Sequence, residues 1–439
     1  MNRRRNALSS LPALVAILVF WGLQGTLRGA EPEFKESTPE LVRVRDGIPH
    51  FLSKIKNKED VKVAYFGGSI TAADGWRVQT LAAFNEKWSD SKFSEINAAI
   101  GGTGSDLGVY RLDHDVLQGK PDLVFVEFCV NDGGTPPELI WRQMEGIVRQ
   151  IWRRNLETDI AFVYTFRVGH EKDYLAGKTP RSVSAMEQIA EFYGIPTLDF
   201  NIPVVEQAEN GKLTYQSDAP EEGKLHFSTD GVHPLKEGHQ IYTKVVMDAL
   251  VSMLEQNENA AFPGVETRSE KLEKVFVADN YENAKFVPIK ESQLSGDWSR
   301  LPDDSPLAWI KGRMGKDVFT SNAPGSKLSF TFRGSRAMIY NVLGPNGGQV
   351  RIAVDGTERG PVPQFDSYCT YHRLASLFIA GDLDPNAAHE VVVEIDAEQP
   401  DRTPVAFRLQ DPEKELAEPK YQGHNVWFGP IMVLGDVVD

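Results

Sequence analysis

The sequence predicts an α/β domain built on a parallel sheet, followed by an antiparallel β-sandwich. Three observations carry this. Apolar runs such as VKVAYFG (61–67), DLVFVEFCV (122–130) and IAFVYTF (160–166) alternate with helical stretches, and strands apolar at nearly every position belong to sheets covered by helices on both faces. Near Phe262 the pattern changes to short alternating runs, LSFTFRG, AMIYNVLG, GQVRIAVDG and HEVVVEID, separated by Gly, Pro and Asn turns. With 41% hydrophobic and 25% charged residues over 439 positions, the composition is that of a folded chain of two or three domains.

Taken in order, residues 1–30 read as a signal peptide. Arg3, Arg4 and Arg5 form a basic start, Leu11 to Leu23 an apolar stretch too short for a comfortable membrane span, and Gly29-Ala30 a small-residue cleavage point. The expected location is therefore secreted or periplasmic, with no stable membrane span after cleavage; Arg28 is a poor residue at this point and keeps an uncleaved anchor open. From Glu31 to about Asp60 the chain is charged and helix-prone. Strand Val61 to Gly67 then runs into a Gly-Gly-Ser turn, and Trp76 to Trp88 has helical spacing of Val78, Leu81, Phe84 and Trp88. A second strand is expected over 93–100, a helix over 107–117, a third strand from Pro121, a long amphipathic helix over 137–154 and a fourth strand over 160–166. Helix 182–193, a short strand 196–200 and a closing helix 234–254 complete the α/β part. Residues 255–273, charged and broken by Pro263, read as the connector, and the later runs ending in VWFGPIMVLG favour a jelly-roll or related sandwich.

A formal charge of −15 without a Lys/Arg block beyond the first residues argues against nucleic acid as a partner. Cys129 and Cys369 are too few for a disulfide scaffold and read as two separate buried thiols. No His/Cys/carboxylate cluster has zinc-site spacing and no phosphate-cradling loop follows a strand, so neither metal nor cofactor is expected. Asp382-Leu383-Asp384 reads as a polar turn ahead of a calcium site.

In parallel sheets ligands sit outside the carboxyl ends of strands, and here those ends carry chemistry. Ser69 follows the first strand, GGTG (101–104) the second and NDGG (131–134) the third, while DGVHP (230–234) precedes the last helix. Acyl transfer requires a nucleophile, a base, a group that orients the base, and donors facing the oxyanion. Ser69, His233 and Asp230 fit the first three roles; the amides of Ser69 and Gly102 and the side chain of Asn131 fit the last, with Gly101 or Gly104 as alternatives to Gly102. Glycines 67 and 68 are expected for unusual torsions at a tight turn, and Gly102 for the room it leaves above its amide.

With GGSIT at 67–71, NAAIGGTGS at 97–105, VEFCVNDGG at 126–134 and DGVHP at 230–234, in this order, the sequence resembles the SGNH or GDSL-like hydrolase family over residues 60–255. The resemblance implies a flavodoxin-like parallel-sheet domain, set here at 31–260 with the β-sandwich at 261–439, and places the family's roles on Ser69, Gly102, Asn131, Asp230 and His233. Gly68 departs from the pattern, since many members carry aspartate there. The implied function is an exported serine esterase acting on acyl esters, most of all acetyl, of a carbohydrate, so the expected partner is an acylated small molecule or glycan. Two alternatives are an acyltransferase with the same triad and a non-catalytic glycan-binding surface protein. Trp76, Arg77 and Arg167 are candidate substrate contacts, as is His170, with a packing anchor as the alternative for Trp76 and a solvated loop for Arg167 and His170; Glu127 and Asp132 are expected to be structural, His226 and His239 structural or exposed.

Overall fold

The computed structural model describes residues 32–259 and 261–438. The signal peptide expected at residues 1–30 lies outside the described residues. Five parallel strands, β1 (Val61–Gly67), β2 (Phe93–Asn97), β3 (Leu123–Glu127), β4 (Asp159–Tyr164) and β5 (Thr197–Asp199), lie in the spatial order β2-β1-β3-β4-β5. This is the flavodoxin-like order, whose switch point falls between β1 and β3. A two-residue strand, Val42–Arg43, adds antiparallel to the β5 edge.

The uninterrupted apolar runs are explained by burial on both sides. Val61, Val63, Tyr65, Leu123 and Phe125 face one apolar cluster, and Ala64, Phe66, Val124 and Val126 face the other. Helices α1 (Trp76–Lys87) and α5 (Lys236–Asn259) cover the first face, while α2 (Ser105–Asp115), α3 (Pro137–Arg154) and α4 (Arg181–Tyr193) cover the second. In α3, Pro137 opens the first turn, Ile140, Met144, Ile147 and Ile151 are buried along one stripe, and Arg153 and Arg154 sit where the helix dipole favours cations.

Two of the differences from the sequence expectation have a cause in the structure. Helix α2 begins at Ser105, two residues early, because the Asp132 carboxylate accepts the Ser105 amide at 3.0 Å and caps the helix from a loop 27 residues away. The runs LSFTFRG and AMIYNVLG, expected as separate strands, form one 17-residue strand, β6 (Lys327–Leu343). It stays continuous because irregular pairing near Gly334 bends it without a turn.

Strand β6 organises the antiparallel part. Its first half pairs with β7 (Ala388–Ile395) and its second half with Arg373–Ala380, while β8 (Val426–Val438) runs antiparallel along both halves. One continuous ten-stranded sheet thus folds over an apolar interior that includes Phe332, Ile339, Val393, Phe428 and Val433. The chain from Pro32 onward forms one compact unit. Val277, Tyr281, Met314, Met338, Tyr340 and Met432 join the cluster that covers α2 and α3, so the two parts share a core. Gly146 permits this contact: a side chain there would begin 2.6 Å from the Tyr281 backbone.

Candidate active site

At the switch point, β1 ends at Gly67 and the chain turns into a single helical turn, Ser69–Ala72. The glycines before Ser69 are needed for room and not for torsion. Gly68 has φ −91°, open to any residue, but a Cβ there would fall well inside contact distance of Asn131 Oδ1, and one on Gly67 would lie 2.6 Å from the Glu127 carbonyl oxygen. A larger residue at 68 therefore has no place while Asn131 stands where it does. At Gly102 the backbone itself asks for glycine: φ is +73°, in the left-handed region, while an added Cβ would meet no protein atom within 4 Å. Gly101 is the glycine beside Ser69, its Cβ position 3.5 Å from Ser69 Cβ, whereas Gly104 abuts Asp132.

Three loops converge here. His233 Nε2 lies 2.7 Å from Ser69 Oγ, and His233 Nδ1 lies 2.6 Å from Asp230 Oδ2. With Nδ1–H donating to the carboxylate, Nε2 is left to accept from the serine hydroxyl. The other Asp230 oxygen accepts from the amides of Val232 (2.9 Å) and His233 (2.8 Å) and from Ser228 Oγ (2.9 Å). Partial burial opposes ionisation of Asp230, but these bonds, led by that from the His233 ring, hold its carboxyl well below the usual carboxylate range. The aspartate is thus fixed as an anion facing the imidazole.

The support beneath is buried. Glu127, at the end of β3, accepts from the Gly68 amide (3.3 Å), the Thr71 hydroxyl (2.9 Å) and the Thr165 hydroxyl (2.8 Å). Burial pushes its carboxyl up to about 7 against the pull of those donors. Asp132, likewise raised by burial to about 7, joins the third-strand loop to the start of α2. Arg111, fully buried on α2, pairs with Asp115 and donates to the carbonyls of Ala98 and Gly67, tying the second-strand loop to the nucleophile strand. Glu127 and Asp132 are structural, as expected. Ser228, Thr71, Thr165 and Arg111 escaped the sequence reading; only Arg111, four residues before Asp115 on a helix, left a local trace.

Three of the candidate substrate contacts, Trp76, Arg77 and His170, need correction. Trp76 is fully buried, packed edge-on against Tyr65, Phe125 and Phe200 with Nε1 donating to Thr71, so its ring anchors α1 on the sheet. Arg77, 3% exposed, is held by Glu95, Asp74 and the Thr71 carbonyl, which leaves it within the fold. Arg167 is exposed, its guanidinium 3.6 Å from where a side chain on Gly133 would begin, and so stands at the rim formed by the Asn131 loop. His170 is buried against Asn201 and driven down to about 4 by desolvation. His226 braces the triad loop, with Nε2 2.7 Å from the Ser217 carbonyl, and His239 is buried where any side chain on Gly75 would go. Among the described residues no group of three or more His, Cys, Asp or Glu is arranged to hold a metal ion, and no helix is long and apolar enough to cross a membrane.

Residues 65–241 match the model of the GDSL-like lipase/acylhydrolase family. A 97-residue stretch is 35% identical to thioesterase 1/protease 1/lysophospholipase L1 of Escherichia coli strain K12, covering 21% of this chain and 45% of that protein; the chain thus spans under half the length of this curated relative. A two-domain esterase active on acetylated mannans, crystallised with mannopentaose, shares the fold at a TM-score of 0.65 over 89% of this chain and 94% of that one, with 17% identity. A second crystal structure of such an enzyme gives 0.64, also at 17% identity. With the family's blocks in order on the ends of β1, β2 and β3 and on the loop before α5, residues 65–241 are a GDSL-like lipase/acylhydrolase domain.

Proposed function

We propose that this protein is an exported serine esterase that removes acyl groups, most of all acetyl, from a carbohydrate. The observation that carries the reaction type is the unbroken relay of Ser69 Oγ, His233 and Asp230 at 2.7 and 2.6 Å. Ser69 Oγ attacks the ester carbonyl as His233 Nε2 takes its proton. Asp230 holds the ring in the tautomer that can accept, and stabilises the imidazolium that results. The tetrahedral oxyanion is met by the amides of Ser69 and Gly102 and by the Asn131 side chain; the imidazolium then protonates the leaving alcohol, and a water repeats the sequence to release the acid.

The carbohydrate part has different support. The two-domain fold relative, which covers 89% of this chain, is active on acetylated mannans. The open triad suits a bulky substrate: the His233 side chain is 48% exposed and that of Asp230 51%. The same exposure favours hydrolysis over transfer to another alcohol, since transfer gains from keeping water out. Arg167, on the rim, is the residue we assign to substrate oxygens.

Acetate release from acetylated mannan and xylan, with wild type and Ser69→Ala side by side, tests the reading. Release by wild type alone supports it, release by neither excludes it, and acyl products formed on an added acceptor alcohol would favour transfer.

A further inference from the structure

Among the described residues, three strongly exposed aromatic side chains belong to two segments of the antiparallel part: Tyr368 (53% exposed) and Tyr371 (59%) on the turn after Phe365, and Phe407 (72%) in Thr403–Arg408. The Arg408 guanidinium joins the segments, lying 4.1 Å from the centre of the Tyr368 ring and 4.7 Å from that of Phe407, with Nε donating to the Ser367 carbonyl at 2.8 Å. Asp366 accepts the Tyr368 amide at 2.9 Å and pairs with Arg373. Below them Phe365, Cys369, Val405 and Tyr421 make a small buried cluster on which Leu409 and Leu416 pack. The branched aliphatic side chains of these segments therefore turn inward, and rings with a guanidinium remain outside.

Exposed rings held in place by their neighbours mark a binding surface. A face that enters a lipid surface brings aliphatic side chains out along with its rings, and here they are withdrawn. Nucleic acid is disfavoured by the −15 charge. A pyranose fits: it has flat C–H faces that stack on rings and a rim of hydroxyls that need donors and acceptors, which the Arg408 N–H groups and the tyrosine hydroxyls supply. We propose that Tyr368, Tyr371, Phe407 and Arg408 form a binding site for a neutral oligosaccharide. The choice of a sugar shares the carbohydrate reading of the esterase, and the test below separates the two.

The full chain is run by affinity electrophoresis through gels containing deacetylated β-mannan, deacetylated xylan or hydroxyethylcellulose, and hydrolysis of 4-nitrophenyl acetate is measured in parallel. Wild type is retarded by at least one polymer; the Tyr368→Ala/Phe407→Ala pair binds about tenfold more weakly or not at all, Tyr368→Phe stays retarded, and all keep wild-type ester hydrolysis. If the double variant loses hydrolysis as well, Phe407→Ala alone carries the test, because its ring is 72% exposed. Retardation of wild type by no polymer overturns the site, as does undiminished retardation of Phe407→Ala and the double variant. Binding of wild type to phosphatidylcholine vesicles, or a dimer dissolved by Phe407→Ala, in place of polymer binding also overturns it. A wild type that binds polymer but cleaves no ester would sink the esterase and leave this site standing.

Discussion

Glu127 holds the nucleophile turn without approaching the reacting atoms, since its three donors are the Gly68 amide and the hydroxyls of Thr71 and Thr165. Glu127→Ala is expected to cost about 1–3 kcal/mol for the orphaned buried donors and to lower kcat more than it raises KM, as read by melts and steady-state kinetics. The proposed nucleophile is the sharper test: Ser69→Ala should lower kcat by 10⁴-fold or more and Asp230→Asn by roughly 10³–10⁴, with melting temperatures close to wild type. The buried carboxyls also set a pH dependence. Burial raises Glu127, Asp132 and Asp199 to about 7, from ordinary values of 4.5, 3.8 and 3.8. A raised folded-state value means the folded protein holds the proton more tightly, so the stability these groups add is complete below their unfolded values and is lost as pH rises through about 7. Asp230 acts oppositely, its contribution present above 3.8 and lost only in strong acid. Melting temperature should therefore fall between about pH 4 and 7, and Glu127→Gln should flatten the slope; an unaltered slope would contradict the buried placement.

Elements were legible in the sequence where their causes were local. The five strands announced themselves because burial on both faces leaves no room for polar positions, and α3 because its stripe, its Pro137 and its terminal arginines lie within one stretch. The start of α2 was not, because its cap, Asp132, comes from another loop. Nor was the burial of Trp76, which depends on Phe125 and Phe200 arriving from distant strands. The site shows the same division: the order of the blocks exposed Ser69, Asp230 and His233, while the reason for Gly68 was misread because crowding by Asn131 is a contact no spacing encodes. For α2 the expectation is specific. Asp132→Ala should cost about 1–2 kcal/mol as a lost cap and lower kcat by loosening the 101–104 loop, whereas Asp132→Asn, which keeps the acceptor, should retain most of both.

Across the whole molecule, the shared core is the property that matters. Trp141, Met144 and Ile147 on α3 and Tyr340 and Met432 on the antiparallel sheet belong to one cluster, and Arg149 reaches across to Glu282 and to the carbonyls of Leu272 and Lys274. Scanning calorimetry should therefore show one transition, and Arg149→Ala should lower it as a unit by about 2 kcal/mol or more, the cost of leaving buried acceptors unpaired. Two resolved transitions would contradict a common core. Strand β8 adds a consequence in time. Residues 426–438 are made after every strand they join, yet lie between β6 on one side and Ala284–Val287 and Phe319–Ser321 on the other. Until that last strand slots in, the oily flank of α3 has no finished cover, so neither part can complete its packing before residues 426–438 are in place.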